Sequence, residues 1–193
     1  MTTVPHPPFD ADPGARQSLR ARLRGGPVAR AIGRVDVRLY RLLREDAQST
    51  RLERPIRRFS SLGEHAALWL AIGAAGAAVD PRRRERWLRA AGAVVTAYVL
   101  NTLLKLVVRR KRPALEALPA LISTPTSLSF PSAHASSSFA AARAYSSLMP
   151  AGPLYATATA MALSRVYLGV HYPSDIAAGA LLGSVVGAAM SDG

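Results

Sequence analysis

Five apolar stretches alternate with short polar segments, and all five lie after residue 60 of the chain. They cover residues 62–79, 87–108, 131–149, 154–168 and 175–190. A helix needs about 20 apolar residues to cross a bilayer core of about 30 Å, so each stretch is a candidate membrane span. The third stretch is unusually polar, because it carries six serines and an arginine. We therefore expect this helix to be buried by its neighbours rather than exposed to lipid.

The chain before the first of these stretches has a different pattern. Residues 1–30 are rich in Pro, Gly, Asp and Arg, which predicts a disordered basic tail without the apolar core of a secretory signal. In residues 31–46, apolar residues recur at helical spacing, with arginines elsewhere on the helical wheel. This pattern predicts an amphipathic helix on an anionic membrane surface, or else a solvated helix that packs on the protein's own loops. The basic character continues to residue 58 and is interrupted by Pro55.

The pattern as a whole predicts an all-α, integral-membrane helical bundle of about five spanning helices plus an N-terminal amphipathic interfacial helix. Its predicted parts are a tail (residues 1–30), an interfacial helix with its linker (31–58) and a membrane-embedded domain (59–193). In the last span, Gly179, Gly183 and Gly187 are four residues apart, and such ridges of small residues let helices approach closely. An Ala-rich soluble bundle is the alternative interpretation.

Composition narrows the class of protein. The 193 residues include no cysteine, which excludes disulfides and thiolate metal sites, and the net charge is +13. A nucleic-acid-binding protein spreads such charge over one face, whereas a membrane protein concentrates it in loops on one side of the bilayer. Residues 90–104 carry no charge, and only two basic residues, Arg143 and Arg165, follow Arg112. This distribution favours a membrane protein and predicts no nucleic-acid partner.

Three short polar clusters interrupt the apolar pattern. The first contains Lys105 and Arg112-Pro; the second is the run Phe-Pro-Ser-Ala-His at residues 130–134; the third contains Ser-Arg at residues 164–165, His171 and Asp175. Together they supply three cations, two imidazoles, a serine and a carboxylate. This set suits a phosphate monoester, because cations bind the oxyanion while one imidazole attacks and the other protonates the leaving oxygen.

The three clusters resemble the signature of the type 2 phosphatidic acid phosphatases, a superfamily shared with bacterial acid phosphatases and vanadium haloperoxidases. That signature is Lys, six residues, Arg-Pro; then Pro-Ser-Gly-His; then Ser-Arg, five residues, His, three residues, Asp. All three spacings match, and the sequence departs only at Ala133, where glycine is usual. The resemblance implies an acid phosphatase/haloperoxidase-like core. The methyl group of Ala133 is expected to reduce the space for the phosphate without loss of function.

The candidate catalytic residues are His171, His134 and Asp175. His171 is the nucleophile that forms a phosphohistidine, and Asp175 fixes its tautomer and stabilises the developing imidazolium. His134 is the general acid that then activates water. Taken alone, a His-x-x-x-Asp pair is more often a loop histidine before a capping aspartate, and His134 a loop histidine at a helix start. The complete signature favours the catalytic interpretation.

The candidate phosphate-binding residues surround these three. Lys105 and Arg112 are seven residues apart, close to two helical turns, so we expect both to point the same way. Arg165 completes the set of cations that clamp the non-bridging oxygens. Ser132 and the N–H groups of Ala133 and His134 should form an anion site at a helix N-terminus. Arg109, Arg110 and Lys111 lie outside the signature, and we expect them to attract lipid headgroups or simply to carry the positive charge of a cytoplasmic loop; Arg143 is expected to pair within the bundle.

Neither a metal nor another cofactor is implied by these residues. One carboxylate is too few to hold Mg²⁺ by two acidic ligands. Two histidines and an aspartate could form a zinc or iron site, but three converging cations would repel a metal and attract an anion.

The predicted function is an integral-membrane lipid phosphatase that acts through a phosphohistidine. Candidate substrates are a polyprenylphosphoryl ribose 5-phosphate of cell-envelope biosynthesis, an isoprenoid (di)phosphate, phosphatidylglycerophosphate and phosphatidate. The alternatives are a vanadate-dependent haloperoxidase-like enzyme and a non-catalytic basic scaffold on the membrane surface. The Ala- and Arg-rich composition is typical of a GC-rich bacterial genome. The oligomeric state and the lipid chain length stay open.

The order of spans predicts the topology of a multi-pass protein of the cell membrane. Alternation of five spans places all three clusters on the face that also carries the N-terminal tail. Most arginines lie on that face, so the positive-inside rule predicts an active site on the cytoplasmic side. This orientation is opposite to the outward-facing one expected for many bacterial members of the family.

Overall fold

The computed structural model describes residues 26–45, 50–115 and 117–191, and within these ranges the chain forms α-helices and no strand. Residues 1–25 of the predicted tail lie outside the described residues. Two 3₁₀ turns, Glu64–Ala66 and Pro81–Arg83, each precede a long helix. The helices are α1 (Pro27–Glu45), α2 (Thr50–Ser61), α3 (Ala67–Val79), α4 (Arg84–Val108), α5 (Ala133–Tyr145), α6 (Ala151–Tyr167) and α7 (Pro173–Ser191).

Helix α5 is the centre of the bundle, packed against α4, α6 and α7. Nearly all of its residues are buried, including the serines, as the sequence predicted. The buried hydroxyls are satisfied by neighbouring helices and by the backbone. Asn101 Nδ2 donates to Ser136 Oγ at 2.9 Å, and Trp69 Nε1 donates to Ser138 Oγ at 2.8 Å. These bonds explain how a polar helix fits the interior, since a buried hydroxyl without a partner would be costly.

Close packing of α7 on α5 depends on the predicted glycine ridge. A Cβ atom at Gly179 would lie 2.6 Å from the carbonyl oxygen of Ser132, and one at Gly183 would lie 2.8 Å from the amide nitrogen of Ala140. Both obstacles are backbone atoms, which cannot move aside as a side chain would. The ridge therefore lets the two helix backbones approach, and it holds the start of α7 beside the start of α5.

Membrane-spanning length is reached by only some of the described helices. Pro81–Val108 and Pro173–Ser191 are long and apolar enough to cross a bilayer, and the bent pair Arg51–Ser61 and Glu64–Val79 adds a third span if it counts as one. Helix α5 has 13 residues, a length of about 20 Å, which is short of the hydrocarbon thickness. The helical membrane bundle is confirmed, and the number of five spans stays a prediction.

Helix α1 faces the protein with its polar and aromatic side. Asp36, Tyr40 and Arg44 are all at most 2 % exposed. Arg44 was expected on the solvated side of the wheel, but its guanidinium donates to Tyr40 Oη and to the carbonyl oxygens of Leu118 and Pro119. The predicted apolar stripe points outward, with exposed fractions between 41 and 56 %: Ile32, Val35, Leu39, Leu42 and Leu43. The helix therefore packs on the protein's own loops and still presents an apolar face outward.

Three local features of the helices are not apparent from the sequence pattern. Helix α2 runs through Pro55, which removes one backbone donor without ending the helix. Pro131 precedes α5 instead of beginning it, and Ser132 is the N-cap, whose hydroxyl accepts the N–H of Ala135. Helix α4 ends at Val108, so Arg112 lies in a loop and not two turns after Lys105 on one helix.

Candidate active site

The structure brings the three polar clusters together at one end of the bundle. The first cluster runs from the last turn of α4 into the following loop, the second forms the start of α5, and the third runs from the end of α6 into α7. Their backbones are joined where the second and third clusters meet, because Ser132 N donates to the Asp175 carbonyl oxygen at 3.0 Å. Close approach of α7 to α5 places the candidate nucleophile and the candidate acid beside one another.

His171 lies in the turn between α6 and α7 and is 2 % exposed. Its Nδ1 is 3.5 Å from Asp175 Oδ2, at the outer limit of a hydrogen bond, and no other partner of this nitrogen lies among the described residues. Its Nε2 is 3.2 Å from Arg112 Nη1. A guanidinium can only donate, so that contact requires a lone pair on Nε2 and the ring proton on Nδ1, facing the carboxylate. The arrangement therefore presents Nε2 as the nucleophilic nitrogen.

The surroundings of His171 favour its neutral form. Burial lowers the pKa of His171 to about 4, an effect that the Asp175 carboxylate opposes and that the charges of Arg112 and Lys105 reinforce. Above that pH the ring is unprotonated at Nε2 and able to attack. Arg112 is itself held by two carbonyl oxygens, those of Thr126 at 2.9 Å and Val170 at 2.7 Å. These bonds fix its guanidinium at the edge of the imidazole.

Asp175 belongs to an ionic network that reaches from α7 to the N-terminal helix. Its Oδ2 accepts the N–H of Tyr172 at 2.9 Å, and its Oδ1 accepts from Arg110 Nη1 at 3.0 Å. Arg110 Nη2 donates to Asp36 Oδ2 at 2.7 Å, and the Asp36 carboxylate also accepts the N–H and hydroxyl of Ser174. The expected headgroup role of Arg110 is therefore wrong: this side chain bridges two buried carboxylates. Arg143 does pair within the bundle, donating to Ser191 Oγ at 3.1 Å.

Lys105 approaches the site from the end of α4. Its ammonium donates to three carbonyl oxygens of the loop before α5: Leu128 at 3.3 Å, Ser129 at 3.4 Å and Pro131 at 3.0 Å. The lysine thus holds the segment that leads into the second cluster. Its charge also acts on His171, as the pKa of that residue shows.

The N-terminus of α5 contributes amides as well as side chains. Ser132 is fully buried, and as the N-cap it orients the first turn of the helix. The N–H groups of Ala133 and His134 belong to that first turn, where helix amides point outward along the axis and attract anions. Ala133 is half-buried, so its methyl group lies at the edge of this first turn rather than inside the bundle.

His134 and Arg165 meet at Ser60, the residue before the last of α2. His134 Nε2 lies 3.2 Å from the Ser60 carbonyl oxygen, and Arg165 Nη1 donates to Ser60 Oγ at 2.8 Å. A carbonyl can only accept, so His134 carries a proton on Nε2 in this contact. Arg165 is 5 % exposed, and within the part of the chain that the structure describes its Nε has no hydrogen-bond partner. An unpaired buried donor of this kind is what an oxyanion would satisfy.

Two residues that hold the site in place, Asp36 and Ser60, were not identified from the sequence, although the pattern around Asp36 could have indicated it. Asp36, Tyr40 and Arg44 are four residues apart, a period that places them on one helical face beside the apolar stripe. A lone acid on that face of a basic helix indicates a buried partner. Nothing in the sequence singles out Ser60.

Among residues 26–45, 50–115 and 117–191, no three or more His, Cys, Asp or Glu side chains lie close enough to hold a metal ion together.

Curated proteins with similar sequences come from mycobacteria. The decaprenylphosphoryl-5-phosphoribose phosphatase of Mycobacterium tuberculosis (strain H37Rv) is 44 % identical over 150 residues, which are 73 % of this chain and 82 % of that protein. The enzyme of the same name from Mycolicibacterium smegmatis is 44 % identical over 125 residues, 64 % of this chain and 68 % of that protein.

Solved structures share the fold. The crystal structure of LpxE from Aquifex aeolicus superposes with a TM-score of 0.66 at 24 % identity, covering 82 % of this chain and 96 % of LpxE. A transmembrane PAP2 type phosphatidylglycerolphosphate phosphatase from Bacillus subtilis superposes with a TM-score of 0.68 at 21 % identity, covering 93 % and 92 %. Residues 86–192 match the model of the PAP2 superfamily. This helical membrane phosphatase belongs to the PAP2 superfamily.

Proposed function

We propose that the protein hydrolyses the terminal phosphate of a polyprenylphosphoryl ribose 5-phosphate, through a phosphohistidine on His171 and without a metal. The observation that carries the mechanism is the placement of His171, whose Nε2 faces Arg112 while its Nδ1 faces Asp175. The substrate rests on the mycobacterial relatives, which share 44 % of aligned residues. The two solved structures are less than 25 % identical and support the fold alone.

The first step transfers the phosphoryl group to the protein. His171 Nε2 forms a bond to phosphorus while the bond from phosphorus to the ribose oxygen breaks. As the imidazole gains charge, its Nδ1–H draws closer to the Asp175 carboxylate, and the 3.5 Å contact shortens. Catalytic hydrogen bonds are often long before substrate binds and tighten later.

The leaving oxygen takes its proton from Nδ1 of His134, which enters the step as the imidazolium while its Nε2–H stays on the Ser60 carbonyl oxygen. The neutral His134 then removes a proton from water, whose oxygen bonds to phosphorus as the bond to His171 breaks. The products are inorganic phosphate and the lipid-linked ribose, and both histidines return to their starting protonation.

Cations surround the position that the transferred phosphoryl group would occupy. Arg112 contacts the nucleophile, and Arg165 contacts the residue that holds the acid. The charge that develops on the equatorial oxygens of the phosphoryl group is stabilised by donors that the protein already holds in position before the substrate binds. The same positive charge repels a divalent metal, which supports a metal-independent reaction.

A substrate panel in detergent tests this function. The purified protein, with a metal chelator present, is expected to release phosphate from decaprenylphosphoryl ribose 5-phosphate faster than from phosphatidate, phosphatidylglycerophosphate or an isoprenoid diphosphate. His171→Ala is expected to abolish release from every substrate. Hydrolysis that persists in this variant would eliminate the proposed nucleophile, and a stronger preference for another lipid would eliminate the proposed substrate.

We also propose that the active site faces the cytoplasm of the cell and that α1 lies on that membrane surface. Most cations of the described residues lie at the active-site end, on α1, α2 and the loop after α4, while five arginines lie at the other end: Arg82, Arg83, Arg84, Arg86 and Arg89. This asymmetry supports the orientation through the positive-inside rule. The exposed apolar stripe of α1, next to its exposed arginines, supports the interfacial position.

Single cysteines test the orientation, since the chain contains none of its own. Ser127 is exposed at the active-site end, and Ser147 is exposed beside Arg86 and Arg89 at the other. In intact cells, an impermeant maleimide is expected to label Ser147→Cys, and Ser127→Cys only after permeabilisation. The reverse pattern would show that the active site faces outward.

A further inference from the structure

A cavity of about 240 Å³ opens next to the active site. It lies between α2, the 3₁₀ turn after it and the loop that follows α4. Its lining is Arg57, Ser61, Glu64, Ile122, Ser123 and Arg165. Arg165 therefore belongs both to this cavity and to the predicted phosphate site. The cavity is smaller than the roughly 300–1,000 Å³ of drug-sized ligand pockets, and it suits a single sugar ring.

We propose that this cavity binds the leaving group, and that it selects a polyhydroxylated, sugar-like group over the acylated glycerol of a phosphatidate. This inference rests on the proposed function, because it assigns the part of the same substrate that lies beyond the scissile bond. Nothing in the similarity to known proteins assigns the cavity a role.

Position is the first argument. Ser60 holds the candidate acid His134 through its carbonyl oxygen and holds Arg165 through its hydroxyl. The next residue, Ser61, lines the cavity. The acid must lie on the side of the phosphorus from which the leaving group departs, opposite the nucleophile His171. A phosphate held between the two histidines therefore directs its leaving group toward this cavity.

The chemistry of the lining is the second argument. Glu64 offers two acceptor oxygens, and the hydroxyls of Ser61 and Ser123 can each donate and accept. Ser61 already donates to the Arg58 carbonyl oxygen at 2.7 Å, so it offers a lone pair to the ligand. A carboxylate repels a phosphoryl group but accepts hydrogen bonds from sugar hydroxyls. Glu64 therefore distinguishes this cavity from an extension of the phosphate site.

The rim adds a cation and an apolar surface. Arg57 is held by Glu53 at 2.6 Å and by the Leu121 carbonyl oxygen at 2.5 Å, which fixes its guanidinium on the cavity wall. In a polyprenylphosphoryl sugar, a second anion, the phosphodiester, follows the ring, and a cation on the wall matches it. Ile122 supplies an apolar contact of the kind that the face of a sugar ring accepts. A phosphatidate, in contrast, carries two acyl chains at this distance from its phosphate.

The test compares two substrates in two variants that remove only ligand-facing groups. Glu64→Gln and Ser123→Ala are each expected to lower kcat/KM for decaprenylphosphoryl ribose 5-phosphate by about tenfold, the equivalent of one lost hydrogen bond. The kcat/KM for phosphatidate should change by less than about twofold in the same preparations. Glu85→Gln and Ser147→Ala, exposed at the other end of the bundle, are the matched controls and should change neither value.

Each outcome decides between the proposals. A selective loss on the sugar substrate supports the leaving-group site. An equal loss on both substrates shows that Glu64 acts only through the nearby charge of Arg165, and no loss on either shows that the cavity stays empty; both results overturn this inference and leave the phosphatase intact. Wild-type protein that hydrolyses phosphatidate but not the sugar substrate overturns the inference and the proposed substrate together.

Discussion

The two histidines of the site are held by opposite kinds of contact. His171 is buried in a turn and faces a carboxylate, which is itself fixed by Arg110 and by a backbone amide. His134 is the second residue of α5 and faces a neutral carbonyl oxygen, that of Ser60. His171 therefore belongs to a closed ionic network, whereas the direct partner of His134 is an uncharged carbonyl oxygen, close to Arg165 and to an open cavity.

This difference matches the role that we propose for each imidazole. A nucleophile must keep one tautomer and then carry positive charge while the phosphoryl group is attached, so a fixed carboxylate stabilises it. A group that first gives and then takes a proton is better served by a neutral partner, since a carboxylate would hold the proton in place. The two N-terminal helices support different histidines. Asp36 of α1 holds Arg110, which contacts Asp175 beside His171, whereas Ser60 of α2 contacts His134 directly.

The largest expected effect separates the two histidines by substrate. His171→Ala should abolish turnover of every phosphate ester. His134→Ala should lower turnover of the lipid substrate by roughly 10²–10⁴-fold but should still allow an aryl phosphate to phosphorylate His171, because a phenolate leaves without a proton. Radiolabelled, acid-labile phosphoprotein in a rapid-quench assay measures this step. If His134→Ala gives no phosphoprotein with an aryl phosphate, the division of roles is wrong.

The next effect concerns the carboxylate that faces the nucleophile. Asp175→Asn keeps the size of the side chain but removes its charge and allows the wrong tautomer of His171. We expect kcat to fall by roughly 10²–10⁴-fold, as in other histidine–aspartate pairs. Size-exclusion chromatography in detergent checks that the variant remains folded. A folded variant with nearly full activity would show that the 3.5 Å contact never shortens.

The sequence was sufficient to identify the candidate site residues and insufficient to identify the residues that hold them in place. His171, His134 and the three cations are identifiable because their spacing matches a signature, and the apolar pattern was enough to predict a helical membrane bundle. Arg110 lies among the same cations but bridges Asp36 to Asp175, a contact between residues 74 and 65 positions away from it. Sequence distance hides such a pair, since only the packing of α1 on α7 brings the carboxylates together.

A smaller effect is expected at Asp36, the residue through which the ionic network of Asp175 and Arg110 reaches helix α1. Asp36→Asn weakens the hold on Arg110 without touching Asp175, and kcat should fall by about tenfold with little change in KM. Arg110→Gln combined with Asp36→Asn should cost less than the sum of the two changes, because both act through one carboxylate. Asp80→Asn, in an exposed ion pair with Arg83 at the other end, is the matched control. Equal losses in Asp36→Asn and Asp80→Asn would show a general effect on folding.

Ser60→Ala tests the contacts of Ser60 with His134 and Arg165. The variant keeps the carbonyl oxygen that faces His134 and removes the hydroxyl that Arg165 Nη1 contacts at 2.8 Å. We expect the affinity for inorganic phosphate, measured by competitive inhibition, to fall by about threefold to tenfold, because Arg165 is less well placed. A change in kcat alone, with phosphate inhibition unaltered, would mean that Arg165 does not bind the substrate oxygens.

The smallest expected effect on rate is that of low pH, and it tests the difference between the two histidines most directly. Burial lowers the pKa of His171 to about 4, so its imidazole should stay neutral down to that pH, with about half of the molecules inactive at pH 4. Activity alone is a poor measure, because phosphate monoesters themselves titrate near pH 6. Imidazole ¹⁵N resonances of the protein in micelles, assigned with His171→Ala, measure the group itself. A midpoint near the ordinary 6.5 would mean that water reaches His171, and the nucleophile half of the site would then be as open as the other.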